Sequence, residues 1–300
     1  GQARPPLPRP PDRRLVAAAA VTGYAELHCH SAFSFLDGAS PPEELAHAAA
    51  RLGYGALALT DHNGLYGSMA FAQSAARLGV RPITGAEVTL ADGAHRTLLA
   101  ETPQGYAHLC RLLTTTHRDA VDRRDPRLPW AALLERQEGL LILSGCRDQG
   151  LLPRVLREQG LTAARRKAEE CRMLFGAERF FVEVQRNAVR GDAALTCALF
   201  DVADGAGLRA VATGDVHYDR RERHRLQDVL VAIRSGTTLD GAHAARRANS
   251  EFHLAAPAEA AARFRDRPDA IAHTLLLAER CRAFDLTRDL LLRALLLRMA

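Results

Sequence analysis

A chain of 300 residues, 47% apolar and 25% charged, has material for one large α/β domain with an appendage or for two smaller domains. No apolar run approaches the ~20 residues of a membrane-spanning helix, and six cysteines without a CxxC pair exclude a disulfide framework and point to a reduced, cytoplasmic protein. The net charge of +5 is concentrated in residues 1–14, where Arg4, Arg9, Arg13 and Arg14 face only Asp12, so charge alone does not single out a nucleic-acid partner.

Residues 1–22 read as a disordered Pro/Arg-rich arm, and the apolar stretch Leu15–Val21, at the minimum length of an export signal's core, runs almost directly into the first strand, so export is not expected. The run from Tyr24 to His30 reads as a first strand, whose alternation puts His28 and His30 on one face and Cys29 on the other. Asp37 can return to the same place from the following loop. Ser40-Pro41-Pro42-Glu43 has the form of a capping box with proline at the first helical position, opening a helix that Gly53 ends after Leu52. A second strand, Gly55–His62, ends on Asp61 and His62, and a helix covers 66–78. The third strand, Arg81–Leu90, carries Glu87 within it. Asp92-Gly93 is a hairpin signal, so the chain folds back and His95 opens the fourth strand, which runs through 97–100.

Thr102-Pro103 starts a helix to Thr115, followed by a polar loop, 117–127, with Arg118, Arg123, Arg124 and Arg127. The fifth strand, Gly139–Cys146, ends in a soft ligand, and helices are expected at 150–158 and 162–175. The sixth strand is Arg179–Asn187, and a helix covers 191–205. The seventh, Leu208–Tyr218, repeats the same-face pair as Asp215 and His217. A helix over 220–234, a Gly/Ala loop, helices at 257–265 and 269–283, and a leucine-rich end at 290–300 complete the chain.

Strands alternating with helices imply a parallel sheet with right-handed crossovers. Seven strand segments with polar residues at their ends imply a (β/α) barrel over residues 23–235 with its site at that face, and a helical extension over 236–300. The site residues are His28, His30, Asp37, His62, Glu87, His95, Cys146, Asp215 and His217; of these His28, His30, Glu87, Asp215 and His217 are the catalytic candidates. Five imidazoles, three carboxylates and a thiolate exceed one ion's shell, so about two to three divalent transition metals are implied, zinc, manganese or iron. Asp61 faces away as a supporting carboxylate, Glu183 and Asp201 read as ordinary charges, and the other seven histidines as solvated or packed. Arg147, Asn187, Arg220 and Arg221 follow strand ends and are candidates for contacting phosphate.

The runs His28-Cys-His30, Thr60-Asp61-His62, Gly85-Ala-Glu87, Ser144-Gly-Cys146 and Gly214-Asp-Val-His217-Tyr218 together resemble the PHP (polymerase and histidinol phosphatase) domain. The segments 33–40, 64–67, 95–100 and 225–234 narrow the resemblance to the N-terminal PHP domain of bacterial C-family DNA polymerases of the error-prone alpha-subunit type. That resemblance implies a distorted (β/α)7 TIM-like barrel with up to three metals. By analogy His28, His30, Glu87 and Asp215 hold one, Glu87 bridges to a second held by His95 and Cys146, and Asp37, His62 and His217 hold the third. It also implies 3′–5′ exonuclease or related nuclease work on DNA ends, in replication and repair, with single-stranded DNA or 3′ ends and polymerase or repair-complex proteins as partners and no membrane. The sequence stops before any polymerase palm, so primer extension is not expected of it. The rivals are a free-standing histidinol-phosphate type phosphatase, an amidohydrolase and a non-enzymatic structural module.

Overall fold

Short apolar runs of alternating face form the sheet, and the helices between them carry their apolar sides onto it. The computed structural model describes residues 23–289; the Pro/Arg-rich arm and the leucine-rich end lie outside the described residues. The strands are β1 (Ala56–Leu59), β2 (Arg81–Thr89), β3 (His95–Ala100), β4 (Leu140–Leu143), β5 (Phe180–Gln185) and β6 (Arg209–Thr213). They pair in the order β1-β2-β3-β4-β5-β6. All pairs are parallel except those of β3, which is antiparallel to both neighbours. The Asp92 turn causes this reversal: Asp92 Oδ1 accepts Ala94 N–H at 2.9 Å, and the chain returns without a crossover helix.

Among the described residues the regular strands number six, against the seven expected, because residues 24–30 join through isolated bridges, Glu26 to Leu57 and Cys29 to Val216. The cause is the buried Glu26 carboxylate. Its oxygens accept the N–H groups of Leu27 (3.0 Å), His28 (2.8 Å) and Gly214 (2.9 Å), donors that a regular ladder would have used. The alternation breaks there: Ala25 and Leu27 face the inner cluster, whereas Cys29 lies in the outer one. His28 and His30 are thereby turned toward the site.

The α-helices with both ends among the described residues are α1 (Pro42–Leu52), α2 (Ser68–Arg77), α3 (Pro103–Arg118), α4 (Trp130–Glu135), α5 (Leu151–Gln159), α6 (Leu161–Phe175), α7 (Asp192–Ala206), α8 (His224–Arg234), α9 (Pro257–Arg263) and α10 (Pro268–Arg280). The short α4 was not anticipated from the sequence. Ser40 does not cap α1, whose N-cap is Pro41; its hydroxyl instead donates to Asp219 Oδ1 at 2.7 Å. None of these helices is long and apolar enough to cross a membrane.

Two layers of core follow from the strand period. Leu57, Leu59, Leu140, Ile142, Phe180 and Val182 point outward against the helices. Ala56, Ala58, Leu141, Leu143, Phe181 and Val211 point inward, with Leu277, Ala278 and Cys281 at and just beyond the end of α10 packed against them. Continuing that inward face, Glu183 and Gln185 of β5 follow Phe181 toward the end of the sheet where the polar residues gather.

Candidate metal centre

All nine residues singled out from the sequence converge at one end of the sheet. His28 and His30 come from the bridged segment and His62 from the turn after β1. Glu87 lies in β2, directly across from Thr97 of β3, and His95 pairs with Thr89 at the start of β3. Because β3 is antiparallel, its first residue lies at the same end as the other strands' last ones. Cys146 follows β4, and Asp215 and His217 follow β6.

Glu87 is the hub. Its Oε1 lies 3.6 Å from His28 Nε2 and 3.1 Å from His95 Nδ1, and its Oε2 lies 3.7 Å from His30 Nε2 and 2.8 Å from His62 Nδ1. Asp215 Oδ1 is 3.7 Å from His28 Nε2 and 3.5 Å from His30 Nε2. Asp37 Oδ2 sits 3.1 Å from both His62 Nε2 and His217 Nε2. Cys146 Sγ is 3.8 Å from His95 Nδ1. Three overlapping groups have donor atoms within 4.8 Å of one another: His28–His30–Glu87, His62–Glu87–His95 and His30–His62–His217.

The hydrogen bonds behind these groups fix which nitrogen faces inward. His28 Nδ1 donates to Glu183 Oε1 at 2.6 Å. Ser34 Oγ donates to Asp61 Oδ1 at 2.7 Å, leaving its oxygen to accept from His30 Nδ1 at 3.2 Å. His217 Nδ1 donates to the carbonyl of Asp215 at 2.8 Å. The Nε2 lone pairs of all three therefore point into the cluster, and those of His28 and His30 meet at 3.0 Å. Two facing lone pairs, and a buried Glu87 Oε1 that accepts no hydrogen bond of good geometry, are what a cation between them would satisfy. Imidazole, carboxylate and thiolate donors fit a borderline transition metal better than magnesium.

Several positions next to these donors hold positive φ without being glycine: Leu36 (59°) before Asp37, Asn63 (48°) after His62, and Asp215 itself (50°). Such backbone costs about 1–3 kcal/mol each and is retained where surrounding structure imposes it. Gly145, at φ 93°, brings the backbone before Cys146 so near His95 that an added Cβ would lie 2.1 Å from the His95 carbonyl oxygen.

The profile of the PHP domain matches residues 26–187, more than half of the chain. The chain belongs to the PHP family. Similar curated proteins include an error-prone DNA polymerase of Symbiobacterium thermophilum, 39% identical over 274 residues, covering 86% of this chain and 25% of that protein. Another, from Mycolicibacterium paratuberculosis, is 41% identical over 284 residues, covering 91% of this chain and 26% of that protein. The PHP chain thus spans about a quarter of the length of these relatives. Among solved structures, an amidohydrolase from Chromobacterium violaceum is similar at 19% identity and a TM-score of 0.47, covering 65% of this chain and 87% of that one.

In the PHP chain the cluster's charges are strongly coupled. Burial alone would push the Glu87 carboxyl up, but His95, His62 and His28 hold it well below the usual carboxylate range. Asp37 is likewise held low against burial, by His217 and His62 and then Arg247. Burial opposes a charged His62, yet Glu87 and Asp37 raise it to about 10. His30 is pushed down by burial and by its neighbours His62 and His217. Burial raises the Cys146 thiol.

Above the cluster opens a cavity of about 460 Å³, walled by Asp37, His62, Glu87, His95, Cys146, Asp215 and His217 and also by Arg147, Gln227, Arg234 and Arg247. The expected phosphate contacts are placed unevenly. Arg147 lines the cavity, though its guanidinium is bound to Asp192 at 2.6 Å and Asp148 at 3.1 Å. Asn187 is buried, donating to the Gly214 carbonyl at 2.8 Å. Arg220 pairs with Asp219 and Arg221 with Glu251 and Glu259, and none of Asn187, Arg220 and Arg221 lines the cavity. Nor do the arginines of the 117–127 loop: Arg118 pairs with Asp119 and Arg127 with Asp125.

Sequence reasoning passed over Glu183, which is fully buried against His28 and is no ordinary charge. A carboxylate amid the apolar strand Phe-Phe-Val-Glu-Val was the available signal. It also passed over Arg234 and Arg247, in α8 and the loop after it, for which no local pattern exists. Asp61 is a supporting carboxylate, accepting Ser31 N–H at 2.6 Å and both the Ser31 and Ser34 hydroxyls at 2.7 Å.

Proposed function

We propose that this chain is a metal-dependent phosphoesterase working on DNA ends, in the setting of an error-prone DNA polymerase. The observation that carries the reading is Glu87, a single carboxylate within 3.7 Å of four imidazoles, with its own Oε1 left without a good hydrogen bond. In this reading residues 24–30 count as the seventh stave of a distorted (β/α)7 barrel. His28, His30, Glu87 and Asp215 would hold one metal, with Glu87 shared toward His95 and Cys146, and Asp37, His62 and His217 would hold another. Bound divalent cations would supply Lewis-acid polarisation of a phosphate and a nucleophile at neutral pH.

The chain's own residues prepare that chemistry. Glu183, Ser34 and the Asp215 carbonyl keep the Nδ1 protons of His28, His30 and His217 outward, so each Nε2 is available inward without rearrangement. The cluster floor is dry: His28, His30 and His217 have no solvent exposure. Among the described residues the cluster opens to the cavity, where His62, His95 and the arginines stand, and substrate would enter there. The kinship with error-prone DNA polymerases supports DNA as the polymer and polymerase or repair-complex proteins as partners.

The test is hydrolysis by the reconstituted protein of a 3′-labelled single-stranded oligonucleotide against a small phosphomonoester. Release of terminal nucleotides, stopped reversibly by a chelator and absent in Asp215→Asn, is the expected result. Hydrolysis of the monoester alone would replace DNA by a small-molecule substrate. No hydrolysis of either, with metals bound, would make the centre a structural element.

A further inference from the structure

Most arginines near the cavity are neutralised by carboxylates outside the cluster: Arg147 by Asp192, Arg223 by Asp219 and Glu44, and Arg246 by Asp228. Arg247 and Arg234 differ. Arg247 NH1 lies 3.4 Å from Asp215 Oδ2 and its NH2 3.6 Å from Asp37 Oδ2, while Arg234 NH1 lies 3.1 Å from Asp37 Oδ1. Their partners are the carboxylates assigned above to the metals. Arg247 NH2 also lies against His217 Nε2, the ring nitrogen on the cavity side, because the other is taken by the Asp215 carbonyl. The guanidinium thus fills the place between Asp37, Asp215 and His217 that a cation would claim.

We propose that Arg247, assisted by Arg234, is the phosphate-binding subsite of this centre, masked by Asp37 and Asp215 until cations take those carboxylates. The inference rests on the phosphoesterase reading above. A guanidinium and a divalent cation cannot share Asp37 Oδ2 and His217 Nε2, since like charges at contact repel strongly in a desolvated site. Loading therefore displaces the Arg247 head. It cannot go far, because the loop bearing it is tied back where His217 N–H donates to the Phe252 carbonyl at 2.8 Å and Leu254 N–H to the Tyr218 carbonyl at 2.9 Å. The Phe252 ring, 4.6 Å from the guanidinium carbon, provides a face on which the head remains at the cavity mouth. There its planar fork, freed of carboxylates and with a buried Nε that has no partner, presents the geometry that binds phosphate oxygens in pairs.

This dual role makes an unusual prediction: removing the charge improves cation binding while impairing phosphate binding. Zinc titration against a chromogenic chelator should show the last zinc bound about tenfold more tightly by Arg247→Gln than by the parent, ~1.4 kcal/mol. On the zinc-loaded proteins, calorimetric binding of orthophosphate should weaken by about tenfold or more in Arg247→Gln and less in Arg234→Gln. Arg247→Lys, which keeps the charge and loses the fork, should leave the zinc isotherm near that of the parent and recover part of the orthophosphate affinity. A thermal melt of each variant confirms that it is folded. Zinc binding that is unchanged or weaker in Arg247→Gln, or orthophosphate binding unaffected by it, would overturn the inference. Because neither readout needs turnover, a parent protein that hydrolyses nothing would count against the phosphoesterase reading without touching this one.

Discussion

Glu183→Gln tests how far the cluster depends on the groups behind it. The carboxylate is fully buried, with Oε1 2.6 Å from His28 Nδ1, 2.6 Å from Thr213 Oγ1 and 2.8 Å from Gln185 Nε2. Glutamine keeps the shape and one acceptor, so the His28 tautomer survives. What is lost is the negative charge that makes His28 more basic, and the amide NH2 takes the place of Oε2, which accepts from the Thr97 hydroxyl at 3.4 Å. In the metal-free protein a buried charge-assisted hydrogen bond is worth roughly 1.5–3 kcal/mol, and the melting temperature should fall accordingly. For the metal, loss of a carboxylate behind a ligating imidazole weakens binding by about 10–100-fold, ~1.4–2.8 kcal/mol. Competition of the variant against a chromogenic chelator gives the second number directly, and Glu170→Gln, which removes only the half-buried pair with Lys167 on α6, serves as control. Unchanged affinity in Glu183→Gln would refute the claim that His28 is a ligand oriented from behind.

Glu87→Ala should lose more bound metal than any other single substitution, whereas His47→Ala, on the exposed side of α1, should lose none; elemental analysis of both decides. The metal-free protein should become less stable as pH rises. His62 is raised from 6.5 to about 10 by Glu87 and Asp37, so its contribution is complete below pH 6.5 and lost as pH passes through about 10. Metal binding has the opposite slope, since protons compete for the same nitrogens, so the gain in melting temperature on adding metal should grow from pH 6 to pH 9. A gain that shrinks over that range would contradict the charge assignment. Gly145→Ala should destabilise by about 2 kcal/mol or more, because a left-handed backbone and a Cβ 2.1 Å from the His95 carbonyl cannot both be accommodated; urea unfolding measures it.

Much of the centre was legible because strands alternate. His-x-His at 28 and 30 and Asp-x-His at 215 and 217 each announce two donors on one face, and the Asp92-Gly93 turn explains how the His95 side chain arrives within 3.1 Å of Glu87. The bridged character of residues 24–30 was not legible. It depends on Glu26 capturing the N–H of Gly214, 188 residues away. Ser40 has the sequence form of a helix cap, but a partner 179 residues away, Asp219, takes its hydroxyl. Glu183 and Arg247 share this cause: their importance lies in long-range partners, His28 for one and Asp37 with Asp215 for the other. Local patterns fix which face a side chain takes; only the closed sheet decides what it meets there.

The central claim, a multinuclear metal centre built from these nine side chains, is tested most directly by counting metal on the purified chain after reconstitution with zinc, manganese or iron. The account predicts about two to three ions per chain, falling most in Glu87→Ala. Fewer than one ion per chain in the folded parent protein would contradict it.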